Sequence, residues 1–256
     1  MTLIRALSAE VLKIKRTIAL KLVVLAPVAV VLLTLFMASQ APYSTLRSSN
    51  GVVAWRALSR VNFQFWALLM LPLYVTLQTA VIAGLDHADN QWKALFARPV
   101  PRWTIYVAKL MLVMTLAVLS ASILVAGVLI EGKLLNWYDS KLGFAAAAPV
   151  AAIARQAAQM MGLSFLFLTI QHWLSLRWRS FSVSIGFGSA AIVTSFAMLL
   201  AAGQYGAWPR YFPWSLPMLV LEREPHNVLP ALWIGGVIAV LASSAGCIDF
   251  CKGEIS

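Results

Sequence analysis

An all-α polytopic membrane protein is the fold class this sequence predicts, and three observations predict it. Hydrophobic residues make up 61% of the 256 and charged residues only 11%, whereas an ordinary soluble domain is about half apolar and about a quarter charged. Six apolar runs each reach the roughly 20 residues a helix needs to cross a bilayer. The Lys and Arg residues sit mainly at the ends of those runs. The net charge of +11 therefore reports membrane topology; a nucleic-acid partner would need the cations gathered on one soluble face. Spans of this length leave only short connections, so one polytopic membrane domain over 1–256 is expected, and two cysteines are too few for a disulfide framework.

Residues 1–17 place Leu3, Leu7, Val11 and Ile14 three or four apart with Arg5, Ser8, Lys13 and Arg16 between them. That spacing predicts an amphipathic helix lying on the inner leaflet. It runs into the first apolar stretch, 18–37, where Lys21 snorkels back to the headgroups. This stretch is longer than a signal-peptide core and ends without an A-x-A site, so it is expected to stay as a helix. Further spans are expected at 62–85, 105–130, 149–176, 181–202 and 229–248. An even number of crossings puts both termini on one side. The cluster Lys13, Lys15 and Arg16, the Arg98 and Arg102 loop and the Arg177 and Arg179 turn make that side the cytoplasm.

Enzyme motifs are absent. There is no G-x-x-x-x-G-K-[ST] phosphate loop, so ATP and Mg must be held by another chain if the protein is ATP-driven; no cofactor is expected here. His87, His172 and His226 fall on different sides of the expected topology and make a zinc site improbable. Gly162-Leu163-Ser164 lacks the second glycine of a nucleophile elbow and suits close helix packing instead.

The inner loop between spans two and three carries most information. Asp86, Asp89 and Asn90 suit a helix N-terminus; Trp92, Leu95 and Phe96 at i, i+3 and i+4 then form one apolar face, and Pro99 and Pro101 end the helix. With no other fold in the loop, that face must rest on the leaflet, on neighbouring helices or on a partner protein. An interfacial anchor and a docking helix weigh evenly on composition alone.

Two segments resemble one family. Ala9-Glu10-Val11-Leu12-Lys13-Ile14-Lys15-Arg16-Thr17 leading into the first crossing, and Gln91-Trp92-Lys93-Ala94-Leu95-Phe96 followed by Arg98-Pro99-Val100-Pro101-Arg102-Trp103 and Ile105-Tyr106-Val107-Ala108-Lys109, resemble ABC-2-type export permeases, and within them the lantibiotic and bacitracin-immunity branch. The resemblance implies a permease that pairs with a second permease chain, the same or different, and with two ATP-binding subunits. It makes the loop helix a coupling helix, with Trp92, Lys93, Leu95 and Phe96 as contacts to the ATPase subunit and Glu10, Lys13 and Arg16 as candidate polar contacts. Family members often carry a Glu shortly before the Trp; here Asp86 and Asp89 stand in that place. The implied cargo is amphipathic, a peptide antibiotic or a lipid-like molecule.

Polar residues within the spans are candidates for a translocation path, chiefly Gln78, Arg155 and Gln159. Arg155 is the one charge expected well inside a span, with an outer-leaflet snorkel as its plainer role. Gln78 is expected to bond between helices. No Asp or Glu falls in an expected span core, which counts against an ion-coupled secondary transporter; a non-transporting scaffold remains a further alternative. Ser182, Gly186 and Ala190 predict a small-residue packing stripe. Residues 203–228, rich in Trp, Phe and Pro, are too apolar for a water-exposed loop and predict short helices dipping back into the outer leaflet, or an aromatic belt at the headgroups.

Overall fold

The computed structural model describes residues 2–15, 17–40, 51–87, 101–178, 180–202, 206, 208–222 and 227–252, and no strand occurs among them. The main helices are α1 (Thr2–Ile14), α2 (Ile18–Gln40), α3 (Gly51–Phe65), α4 (Leu71–His87), α5 (Arg102–Tyr138), α6 (Val150–Arg177), α7 (Phe181–Ala201) and α8 (Val228–Lys252). Five residues of π-helix, Trp66–Met70, join α3 to α4. Six helical segments among the described residues are long and apolar enough to span a membrane: α2, the α3–α4 unit, α5, α6, α7 and α8.

The π-helix has a sequence cause. Pro72 lacks an N–H and its ring crowds the carbonyl four residues before it, so the backbone widens by one residue, with the Leu71 amide donating to the Trp66 carbonyl. The one donor that Pro72 lacks thus falls where the hydrogen-bond ladder is already changing register. The result is one nearly continuous rod from Gly51 to His87.

That rod and α5 run well past the expected 62–85 and 105–130. The two spans cover 36 and 37 residues, about 55 Å at 1.5 Å per residue, against a hydrocarbon core of roughly 30 Å. Both therefore project beyond the bilayer. Arg56, Arg60 and Lys133 look like loop residues on a hydropathy count, yet they lie on these projecting ends.

Each spanning helix buries one face. In α2 that face is Ala19, Val23, Ala26, Val30 and Thr34, at helical spacing, while Val24, Leu25, Leu32 and Phe36 point outward. An inverted distribution of this kind is stable only where the surroundings are themselves apolar. Small residues bring the rods together. A Cβ on Gly188 of α7 would collide with the Thr76 hydroxyl, and one on Gly162 of α6 would lie 2.7 Å from a Leu232 methyl of α8. The close-packing stripe of α7 is thus Ser184, Gly188, Ala191 and Ser195. The expected stripe Ser182, Gly186 and Ala190 is exposed on the opposite side. Small residues on both faces of α7 make the two stripes indistinguishable without the packing partner.

After α7 the chain forms two short 3₁₀ helices, Trp208–Tyr211 and Leu216–Leu221. Trp214 between them is buried, stacked on Phe167 of α6 at 5.9 Å between ring centroids and on Phe212 at 5.5 Å. The Arg210–Glu222 ion pair at 3.1 Å brackets the segment. This aromatic segment is therefore packed into the bundle, with Trp208 alone of its two tryptophans facing outward.

Candidate coupling site

The amphipathic α1 turns Glu10 and Ile14 inward, four residues apart, and lies along α5. Glu10 and Lys13, three residues apart, share an ion pair of 2.9 Å. Asp86 is in the last turn of α4, and Lys109 is in the second turn of α5. These four side chains meet. Lys13 Nζ lies 2.7 Å from Asp86 Oδ1, Lys109 Nζ lies 2.6 Å from Glu10 Oε2, and Lys109 is also paired with Asp86. Each carboxylate touches both ammonium groups, so the cluster carries no net charge.

Its burial makes the pairing obligatory. Lys109 and Asp86 have no exposed side-chain surface, Glu10 has 6% and Lys13 has 26%. Removing a single charge from such a site leaves its counterpart buried without compensation, at a cost of several kcal/mol. Lys13 is the one member open to solvent. Desolvation alone would lower its pKa, but the Asp86 and Glu10 carboxylates outweigh burial and raise it above the ordinary 10.5.

Asp86 is positioned differently from the sequence expectation. Instead of opening a loop helix, it closes α4, where the helix dipole disfavours an anion. The two lysines offset that penalty. The remainder of the expected coupling helix, Asp89, Trp92, Lys93, Leu95 and Phe96, lies outside the described residues, as does Arg16. What the structure does show is the base from which residues 88–100 spring: both flanking helices are tied to α1 through one ion cluster.

Lys109 was legible as part of the family-like segment but carried no assigned role. The signal was a cation five residues inside the span expected from 105, with acids at the nearby ends of two other segments. The expectation of Arg155 as the one charge inside a span is likewise overturned. Arg155 is exposed, whereas Lys109, Asp86 and Glu131 are fully buried in their helices. Asp86 and Glu131 each fall one residue past the expected span ends at 85 and 130, which is why the span cores looked free of acids.

The three path candidates are not brought together. Gln78 is buried in α4, while Gln159 is half-buried and Arg155 exposed near the start of α6. Ser175 of α6 bonds to Thr79 of α4 at 3.0 Å, and Gln159 is 16 residues before Ser175, about 24 Å along the helix. Nor does Gln78 bond between helices: neither its amide nitrogen nor its oxygen has a partner among the described residues. The interhelical polar contacts run beside it, where Ser175 meets Ser184 of α7 at 2.6 Å and Gln171 donates to the Ser184 carbonyl at 3.0 Å.

At the same end of the bundle as the ion cluster, Arg102 donates to the Cys251 carbonyl of α8 at 3.1 Å, and Trp173 of α6 donates to Asp249 at 2.9 Å. A cation on the last carbonyls of a helix complements its dipole. Thus the first residue of α5 also holds the C-terminal turn of α8.

Neither the comparison with curated proteins nor that with solved structures gives a match. The family described as ABC-2 family transporter protein matches residues 6–197, a range that takes in most of α1, both sides of the ion cluster and all helices through most of α7. With three-quarters of its length so matched and six helices able to span a bilayer, this chain belongs to the ABC-2 transporter family, as a multi-pass membrane permease component that works with separate ABC ATP-binding subunits.

Proposed function

We propose that the chain is the permease subunit of an ATP-driven exporter for an amphipathic cargo, a peptide antibiotic or a lipid-like molecule, with both termini in the cytoplasm. Two ATP-binding subunits and a second permease chain complete the assembly. Asp89, Trp92, Lys93, Leu95 and Phe96, together with Arg16, form the surface gripped by the ATPase. Glu10, Lys13 and Asp86 with Lys109 form the joint behind it.

The ion cluster carries this reading. A push on residues 88–100 reaches α4 and α5 at their roots, and the four charges make α1 move with them, because separating the pairs would strand buried charge. Closure of the ATPase dimer is thereby converted into a rigid-body displacement of three elements, the form of movement that alternating packing of helix bundles requires. The buried acids weaken one argument against a secondary transporter. Glu10 and Asp86 are both held by lysines, and that pairing together with the family favours the ATP-driven class, since an ion-coupling acid must be free to exchange its ion.

The test is co-purification of the tagged full chain in mild detergent. An ABC ATP-binding subunit is expected to accompany it, and Trp92→Ala with Phe96→Ala to weaken that association at least tenfold. Glu10→Gln is expected to preserve association while lowering cargo-stimulated ATP turnover. Cysteine labelling that placed residues 88–100 on the exterior face would overturn the proposal, as would wild-type coupling in the Trp92 and Phe96 variant.

A further inference from the structure

The α5–α6 surface carries a groove that neither the ion cluster nor the polar contacts use. It consists of two adjoining cavities of 390 and 380 Å³ that share Val118 and Met161. On α5 its wall runs from Met114 through Val118 to Val125; on α6 it runs from Phe165 through Gly162 to Ala158. Small residues on α6 leave the space that larger ones would fill. Met114 and Val125 are 11 residues apart, so the groove is about 16 Å long. One leaflet's share of a hydrocarbon core of roughly 30 Å is about 15 Å.

A cation stands at one end only. Arg155, Ala158, Gly162 and Phe165 follow helical spacing along one face of α6, and Arg155 is exposed one turn beyond Ala158. It lines a further open cavity of 610 Å³ with Ala148 to Ala152. Among the described residues no carboxylate pairs with it, in contrast to Lys13, Lys109, Arg177 and Arg210. The other end of the groove is closed by apolar Leu232 and by Gly236 of α8.

We propose that this groove is a binding site for one anionic phospholipid, with an acyl chain laid between α5 and α6 and its phosphate on Arg155. The groove's length matches an acyl chain within a single leaflet, its lining is apolar but for Ser122, whose hydroxyl is already bonded to the Val118 carbonyl, and the unpaired charge at its end is of the sign that a phosphate needs. A guanidinium bonds a phosphate through paired N–H donors, which a zwitterionic headgroup partly satisfies internally. The site lies away from the ion cluster, so its occupancy does not depend on the coupling role proposed above.

The experiment is native mass spectrometry of the full chain titrated in detergent with palmitoyl-oleoyl phosphatidylglycerol or the matching phosphatidylcholine. One phosphatidylglycerol is expected to bind about tenfold more tightly than phosphatidylcholine, the scale of one charge-assisted bond. Arg155→Gln should bring the ratio to about one. Ala158→Leu, which fills the groove from an exposed position, should weaken both lipids. Arg177→Gln, at the opposite end of α6, should leave the ratio unchanged. Equal affinities in the unaltered chain, a ratio insensitive to Arg155→Gln, or an equal effect of Arg177→Gln would overturn the proposal. So would a disulfide between two copies of the Ala158→Cys chain, which would put a second protomer over the groove.

Discussion

Ser120 of α5 donates its hydroxyl to the backbone carbonyl of Val23 in α2 at 2.9 Å, and Val23 is the residue that Pro27, four positions on, leaves without a helical donor. A proline inside a helix removes one N–H from the ladder. In a bilayer core no water replaces it, so the carbonyl must be satisfied by a neighbouring helix. Ser120→Ala is expected to cost about 1–2 kcal/mol, near the upper end for such bonds within membranes. In a Pro27→Ala background, where the backbone N–H returns, the same substitution should cost much less. A double-mutant cycle by denaturant unfolding in micelles, followed by Trp fluorescence, reads the coupling; strict additivity would refute the assignment.

Lys109 has the highest stakes of any single side chain. It is fully buried and joined to both carboxylates of the cluster. Lys109→Met should destabilise the chain by about 3–5 kcal/mol, because an acid is left buried without its partner. Adding Asp86→Asn restores charge balance around the surviving Glu10–Lys13 pair and should recover part of the loss. Thermal unfolding of the two variants decides it: a double variant no better than the single one contradicts a balanced cluster.

Lys13 gives the cluster its pH limit. Its pKa is held above 10.5 by Asp86 and Glu10 against the opposing effect of burial. A raised folded pKa means that the stabilisation is fully present below the unfolded value and is lost as pH rises through the folded one. The thermal midpoint should therefore show no loss from this group up to about pH 10 and fall above it. Lys13→Met, lacking the titrating amine, should lower the midpoint at neutral pH and flatten the alkaline fall. An unaltered alkaline limb in that variant would mean that another group sets it.

Much of this architecture was legible in the sequence. Apolar runs of about 20 residues locate helices well because the bilayer imposes a length, and the outward faces of α2 and α5 are as apolar as the inward ones. The same uniformity hid the packing. Nothing in Ser182, Gly186 and Ala190 distinguishes them from Ser184, Gly188 and Ala191 until Thr76 is seen against Gly188. A linear count misplaces span ends where a charge is neutralised by a distant residue: Asp86 ends an apolar run on that count, yet Lys13 and Lys109 make it part of the helix core. Family likeness singles out Glu10 and Lys13, and only the fold shows that they face Lys109 and Asp86.

Glu131 presents the opposite case to Asp86. It lies 22 residues beyond Lys109 on α5, about 33 Å along the helix, so the two mark opposite borders of a hydrocarbon core. Glu131 is fully buried and accepts a 2.8 Å bond from the Asn62 amide of α3, while Asn62 in turn accepts from Thr34 of α2 at 3.2 Å. No cation pairs with it among the described residues, and its Oε1 has no hydrogen-bond partner there. The contact with Asn62 needs an acceptor and gains nothing from a full charge, which burial opposes. Glu131→Gln keeps an acceptor oxygen for Asn62 and removes the ionisable group, so it should leave stability within about 1 kcal/mol of the unaltered chain or raise it. Asn62→Leu strips the donor while keeping the carboxyl buried, and should cost about 1–3 kcal/mol. Thermal midpoints in one detergent rank the two variants. A Glu131→Gln loss as large as that of Asn62→Leu would show that the carboxylate charge itself holds this end of the bundle.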